Sequence, residues 1–457
     1  MQTKQVIIIC SFLLLHIISI GCKKFLDAKP DDQLIVPQTL PQLQALLDNS
    51  DKMNLNLTPI FGEAATDDYY VTDPVFNATE FNELYNWQLK EYSYPNDWSE
   101  AYEVVYVANF VLEGLQKITV TEQNKEQYNN IKGAALFHRS YNFLNLLWVY
   151  AKAYDAATAA TDPGIALRTA SDFNVPSVRS SVKDGYNLVL ANTKEAAALL
   201  PDLPVHVMRP SKAAAFGLLA RAYLSMRMYD SALVYAGKAL AIKNTVINFN
   251  ADADIPSGIN ATVPFKRFNK ETIFYTEMST NYSINAIYRA LVDTSLLATY
   301  NNNDLRKKAF FTGSGNAYAF KGSYTGNSFQ YFTGVSTTEM FYVKTECMAR
   351  TGQWLQAMDT VNNLLQSRWS NSVPYSPLIA TSANEAVQII LAERRKELYM
   401  RGLRFADIKR LNKEGANIIL QRKIAGQTYT LQPNANYYAL PLPADIIQLT
   451  GMQQNPH

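Results

Sequence analysis

Small and large apolar residues recur at fixed positions in paired helical stretches, and this constrains the fold of the chain more than any other feature. Between Ser211 and Met226, Ala215, Leu219, Ala220, Ala222 and Tyr223 fall at helical spacing; after a minimal turn, Tyr229, Ala232, Tyr235, Ala236 and Ala239 do the same. Small residues let two antiparallel helices approach, and the large ones fill the gaps beside them. A second pair, Glu339 to Arg350 and Trp354 to Arg368, repeats the arrangement through Ala349, Trp354, Ala357 and Leu364, with Gly352 in the turn. Further helices are expected from Leu40 to Leu47, from Trp98 to Leu115, from Tyr128 to Tyr150, and from Val182 to Leu200, where Pro201 closes the run.

Both pairs resemble tetratricopeptide repeats, but their period is not regular along the chain, so a uniform solenoid is not expected. The expected fold class is all-α, a tetratricopeptide-like helix-pair scaffold with long irregular loop insertions. The largest insertion runs from about Val246 to Gly334 and is rich in Asn, Ser, Thr, Gly and aromatics, including Tyr282, Tyr288, Tyr318, Phe320, Tyr324, Tyr331 and Phe332. A loop this long in a compact domain is usually functional. An irregular stretch from Tyr69 to Trp98 is also dense in aromatic side chains, without helical or alternating period.

The first residues are of a different kind. Lys4 precedes an apolar run from Val6 to Ile20, followed by Gly21 and Cys22. The run is short for a bilayer span, and a small residue before a cysteine at its end resembles a bacterial lipobox, with Ser19 where Leu is usual. The expectation is a signal peptide over 1–21 and acylation of Cys22, each buried CH₂ of its lipid contributing about 0.8 kcal/mol to membrane anchoring. Cys10 would leave with the signal, so Cys347 alone would remain unmodified, as a small core residue with no disulfide partner. The formal net charge of +2 and scattered basic residues argue against nucleic acid.

Several motifs, in order, resemble the SusD/RagB family along nearly the whole mature chain. They are Cys22-Lys23-Lys24-Phe25-Leu26-Asp27 with Pro30, Lys212 to Leu224, Asp304-x-Arg306, Glu339 to Glu346, and Leu440-Pro441-Leu442-Pro443 with Asp445-Ile446 and Gln454-Asn455-Pro456. The most specific run is Glu393 to Leu411, with Arg401 where an acidic residue is commoner and Phe405 where Trp is common. The resemblance implies one SusD-like domain over 22–457, with an N-terminal family region over about 22–225 and a C-terminal SusD/RagB region over about 265–457. It also implies a surface-exposed outer-membrane lipoprotein that captures a nutrient, most often an oligosaccharide, and delivers it to a SusC-like TonB-dependent transporter. No cofactor is implied.

Read from the residues alone, the charges of the Glu393 to Leu411 run lock helices together. Glu393 is expected to find an arginine from another turn or helix, and Arg404, Asp407 and Arg410 to form a ladder of alternating charge. Sugar rings present C–H faces to aromatic rings, and their hydroxyls suit Asn, Gln and Asp. On that chemistry the candidate ligand-binding residues are Tyr69, Tyr70, Trp87, Tyr318 and Tyr324, while Trp98 heads a helix face and belongs to the core. Asp67 and Asp68 fit a helix cap or a solvated turn better than a partner for sugar hydroxyls or a calcium site. The alternative from another class is an exported all-α glycosidase or lyase using paired carboxylates. No sequence element places two carboxylates about one bond, and His138, His206 and His457 are isolated, so neither a metal cluster nor a triad is signalled.

Overall fold

The computed structural model describes residues 37–456, and the expected signal peptide and Cys22 lie outside the described residues. The main helices are α1 (Leu40–Asp48), α2 (Asp97–Leu115), α3 (Lys125–Tyr150), α4 (Val182–Leu199), α5 (Lys212–Ser225), α6 (Tyr229–Ile242), α7 (Thr337–Arg350), α8 (Trp354–Gln366), α9 (Ala383–Glu397), α10 (Arg404–Asn412) and α11 (Ala444–Thr450). Their starts are chemically specified. Asn96 and Ser99 form a reciprocal capping box on α2, and the hydroxyls of Ser181, Ser211, Ser336 and Ser382 accept N–H bonds at the starts of α4, α5, α7 and α9. Each such cap stabilises its helix by about 1 kcal/mol.

The helices stack in a row, α2 on α3, α3 on α4, and onward through α5 and α6 to α7, which carries α8 and α9. Every residue of α3 from Gly133 to Tyr150 is buried, as a helix surrounded by neighbours requires. Three of its interior polar side chains are bonded in place: Asn142 and Asn145 donate to the carbonyls four residues back, and Arg139 donates to Asn109 on α2. The two tetratricopeptide-like pairs are α5–α6 and α7–α8. They are neighbours because α6 packs on α7, so the segment 243–336 leaves the row and returns to it. Gly217 makes this return possible, since a Cβ there would come 2.5 Å from Val335 Cγ1. Most buried apolar residues form one core, and a smaller cluster sits among α7, α8 and α9 around Tyr342, Ala357, Val361 and Ile390. Cys347 is fully buried.

The helical scaffold is as expected, and short strands are added to it. These are β1 (Tyr69–Tyr70), β2 (Pro163–Ala166), β3 (Arg179–Ser181), β4 (Thr272–Phe274), β5 (Leu291–Val292), β6 (Phe311–Ser314), β7 (Ala317–Phe320), β8 (Val335–Ser336), β9 (Leu420–Ile424) and β10 (Gln427–Leu431). They form an antiparallel sheet in the order β1-β5-β7-β6 and the pairs β2-β3, β4-β8 and β9-β10. Loops folded against a core must pair their backbone groups, and these ladders do so.

The charged run behaves largely as its spacing suggests. Glu393 accepts from Arg306 at 2.5 Å and also pairs with Lys396 on its own face. Asp407 is held between Arg410 (2.8 Å) and Arg394 (2.8 Å), and Arg410 grips Glu346 on α7 with both terminal nitrogens. Arg404 departs from the expected ladder and pairs with Asp67 instead, at 2.8 and 2.9 Å. Asp67 and Asp68 are therefore neither caps nor a solvated turn. Arg395 and Arg404 tie them to the C-terminal run, because two adjacent carboxylates buried at that point need cationic partners.

Candidate functional site

The two aromatic stretches singled out in the sequence meet in the four-stranded sheet. Tyr70 pairs with Leu291, and Leu291 with Ala319, so the 69–98 stretch and the 246–334 insertion share one ladder. The Tyr70 hydroxyl donates to the Asn316 carbonyl at 3.0 Å across the β6–β7 turn. Side chains alternate along strands, so the register sets Tyr70 on one face with Leu291 and Ala319, and Tyr318 on the other with Val292. Both tyrosines are half-buried. Next to the sheet, Arg289 donates to Thr79 and Ser283, and Tyr282 donates to the Phe81 carbonyl. These bonds fasten the Phe76–Phe81 segment to the insertion. Tyr288 stands 67% exposed beside them with the Arg289 guanidinium 5.4 Å from its ring.

The other three candidate tyrosines and tryptophans face inward. Tyr69 is 1% exposed and donates to Ala64 O at 2.7 Å, and Trp87 donates from Nε1 to Ala65 O at 3.0 Å. Arg422, from β9, lies over the rings of Tyr69, Tyr85 and Trp87 and bonds the carbonyls of Tyr69 and Tyr85. Tyr324 is fully buried, donates to Glu271 Oε2 at 2.6 Å, and carries the Arg401 guanidinium 3.9 Å from its ring. In this conformation these three rings support the surface rather than form it.

Electrostatics beneath the sheet are those of a closed interior. Burial raises the Glu63 carboxyl to about 8, with neighbouring Asp68 adding to the effect, and Glu63 Oε2 accepts the Gly402 N–H at 2.8 Å. Burial alone would also raise Asp67, but Arg404 and Arg395 hold it below the usual carboxylate range. Burial works against ionised Glu271 as well, and the Arg368 guanidinium at 2.7 Å overrides it. Among the described residues no group of three or more His, Cys, Asp and Glu side chains is arranged to hold a metal ion. No helix of the described residues is long and apolar enough to cross a membrane.

A family model described as SusD-like, starch-binding and associating with the outer membrane matches residues 24–224. The same fold is found in a putative sugar-binding protein from Bacteroides vulgatus, at a TM-score of 0.75 and 19% identity over 92% of this chain and 99% of that one. The chain has the SusD-like fold, and its residues 24–224 match the family's model. A SusD superfamily protein from Bacteroides thetaiotaomicron superposes on this chain with a TM-score of 0.73 and 18% identity, over 92% of this chain and 100% of that one. A laminarin-binding SusD-like protein does so at 0.64 and 16%, over 91% and 97%. Among curated proteins nothing matches the chain.

The structure joins the two aromatic segments named from the sequence, buries Tyr69, Trp87 and Tyr324, and leaves Tyr70 and Tyr318 half-buried. Tyr288 has no motif around it, and Arg422 lies in an alternating stretch far from the aromatics it organises. Only contacts between residues hundreds of positions apart show that Arg422 organises these rings and that the segment bearing Tyr288 is tied to the 76–81 stretch.

Proposed function

We propose that this protein is a cell-surface lipoprotein that binds a glycan and passes it to a SusC-like TonB-dependent transporter in the outer membrane. Cys22 would carry the lipid that anchors it. The observation that carries this reading is the fold, shared over more than nine-tenths of the chain with proteins named for sugar and laminarin binding. The description of the matching family as starch-binding and outer-membrane-associating points the same way. In this reading Tyr70 and Tyr288 contact the ligand, and Tyr69, Trp87, Tyr324 and Tyr318, which packs against the core on the opposite face of the sheet, fix the frame that holds them. Half-buried tyrosines on a bonded sheet and strapped loops offer ring faces at little entropic cost, which suits sugar C–H faces.

The reading is of a binder rather than a hydrolase. Asp67, Asp68, Glu271, Glu346, Glu393 and Glu397 are each engaged by arginine, an arrangement that orders helices rather than flanking a glycosidic bond, and buried Glu63 and Asp97 accept the backbone N–H groups of Gly402 and Phe61. The test is affinity electrophoresis of the protein through gels containing starch, laminarin and other soluble polysaccharides, with a parallel assay for new reducing ends. Retention without new reducing ends is expected. New reducing ends would replace this reading with that of a helical glycosidase.

A further inference from the structure

A cleft of about 660 Å³ opens on another part of the molecule, between α2, the 167–178 loop that joins β2 to β3, and the C-terminal α11. Trp98, Tyr102 and Val105 line it from α2, and Ile446 and Met452 from the C-terminal segment. At its lip the rings of Tyr106 and Phe173 stack at 4.8 Å and 23°, and Phe173 is 78% exposed. A phenylalanine left in water gives up the stabilisation that burying it would bring.

The loop that presents Phe173 is strongly fastened. Asn109, itself held by Arg139, donates to the carbonyls of Arg168 and Ala170 at 3.0 and 3.3 Å. Glu113 accepts from the N–H and hydroxyl of Ser171 at 2.7 and 2.5 Å. Arg168 reaches across the loop to Val175 O at 2.5 Å and Ser177 Oγ at 3.1 Å. Phe173 is thus held outward by the loop's own bonding, with its ring pre-positioned for a ligand.

The chemistry around the ring selects the ligand. Ser177, Thr450 and Met452 also line a second groove of about 410 Å³, whose other walls include Asp162, Arg179, Ser180 and Ser181. An aromatic platform therefore runs on into a groove of hydroxyl and backbone groups. The charges nearby carry little free field: Lys52 pairs with Glu103 at 3.2 Å, and Arg168 and Arg179 are spent on carbonyls of their own segment. The groove's hydroxyls donate within the protein, Ser180 to Ile165 O and Thr450 to Ile446 O, and their oxygens keep lone pairs to which sugar hydroxyls can donate, while an ionic ligand would find no unpaired countercharge.

We propose that this cleft is a second carbohydrate-binding site, taking a short stretch of neutral oligosaccharide with a sugar ring stacked on the free face of Phe173, whose other face is backed by Tyr106. The proposal rests on the glycan-binding reading and adds a site separate from the sheet surface.

The test uses the full chain in detergent, with starch and laminarin as retaining polysaccharides and their oligosaccharides in isothermal titration. The expected wild-type stoichiometry is two oligosaccharides per chain. Phe173→Ala should reduce it to one and weaken retention by about tenfold, while Phe173→Trp preserves both. Phe173 is exposed, so an unchanged melting temperature checks that the variant folds. Wild-type stoichiometry and retention in both Phe173→Ala and Tyr106→Ala, on a glycan whose retention Tyr70→Ala weakens, would overturn the second site and leave the glycan reading intact. Failure of the wild type to bind any glycan would remove both.

Discussion

Replacing Asp407 by Ala should destabilise the protein without touching ligand affinity. The Asp407 carboxylate accepts from Arg394 Nε and Arg410 Nε, both at 2.8 Å, and the arginine side chains are 4% and 1% exposed. Arg410 retains its bidentate grip on Glu346 in the variant, but Arg394 has no other side-chain partner, and its Nη1 is already buried without one. Leaving one buried cation uncompensated costs about 3–5 kcal/mol. At about 2.1 cal/mol/K per residue, the 420 described residues give an unfolding entropy of about 0.9 kcal/mol/K, so Tm should fall by about 3–6 °C. The pH dependence supplies a second signature. Burial would raise the Asp407 carboxyl, but Arg394 and Arg410 bring it from 3.8 down to about 2. A carboxyl lowered in the fold stabilises above its unfolded value, and that stabilisation, about 2 kcal/mol, disappears as pH falls from about 4 to 2. The gap between wild type and Asp407→Ala, read from urea midpoints, should therefore be full at neutral pH and narrow over that interval. An unchanged Tm together with lost glycan retention would refute the structural assignment and move the cluster into the binding site.

Further outcomes follow from the same contacts. Arg368→Met leaves Glu271 without its cation and Glu397 with Arg306 alone, both carboxylates 1% exposed or less, and should lower stability by about 3–5 kcal/mol in urea unfolding. Tyr324→Phe removes a 2.6 Å bond to buried Glu271 and should cost about 1–3 kcal/mol while glycan retention stays unchanged. Tyr70→Ala and Tyr288→Ala should show the reverse pattern, weaker retention in affinity electrophoresis at an almost unchanged Tm. Burial lowers His138 from 6.5 to about 3, so its neutral form stabilises the fold fully above pH 6.5, and that contribution, up to about 5 kcal/mol, is lost as pH falls toward 3. His138→Phe should accordingly flatten the acid limb of a stability-versus-pH curve.

The sequence by itself determined the helices, and with them the architecture. Their apolar spacing, the serine caps and the small residues of α5–α6 and α7–α8 are local signals, written within a few turns of the residues they organise. The same locality made Cys347 and Trp98 legible as core, and it identified the 69–98 and 246–334 segments as departures from the scaffold. Only the tertiary structure decided which rings face outward and which charges pair. Tyr69 and Tyr70 are adjacent and chemically identical, yet a strand of two residues sends one inward and leaves the other half-exposed. Arg404 abandons Asp407, three residues away, for Asp67, because two buried carboxylates in another segment demand cations more strongly than a neighbour already held by Arg394 and Arg410. Exposure and ion pairing depend on what covers a residue, and here the covering segments lie hundreds of positions away in the chain.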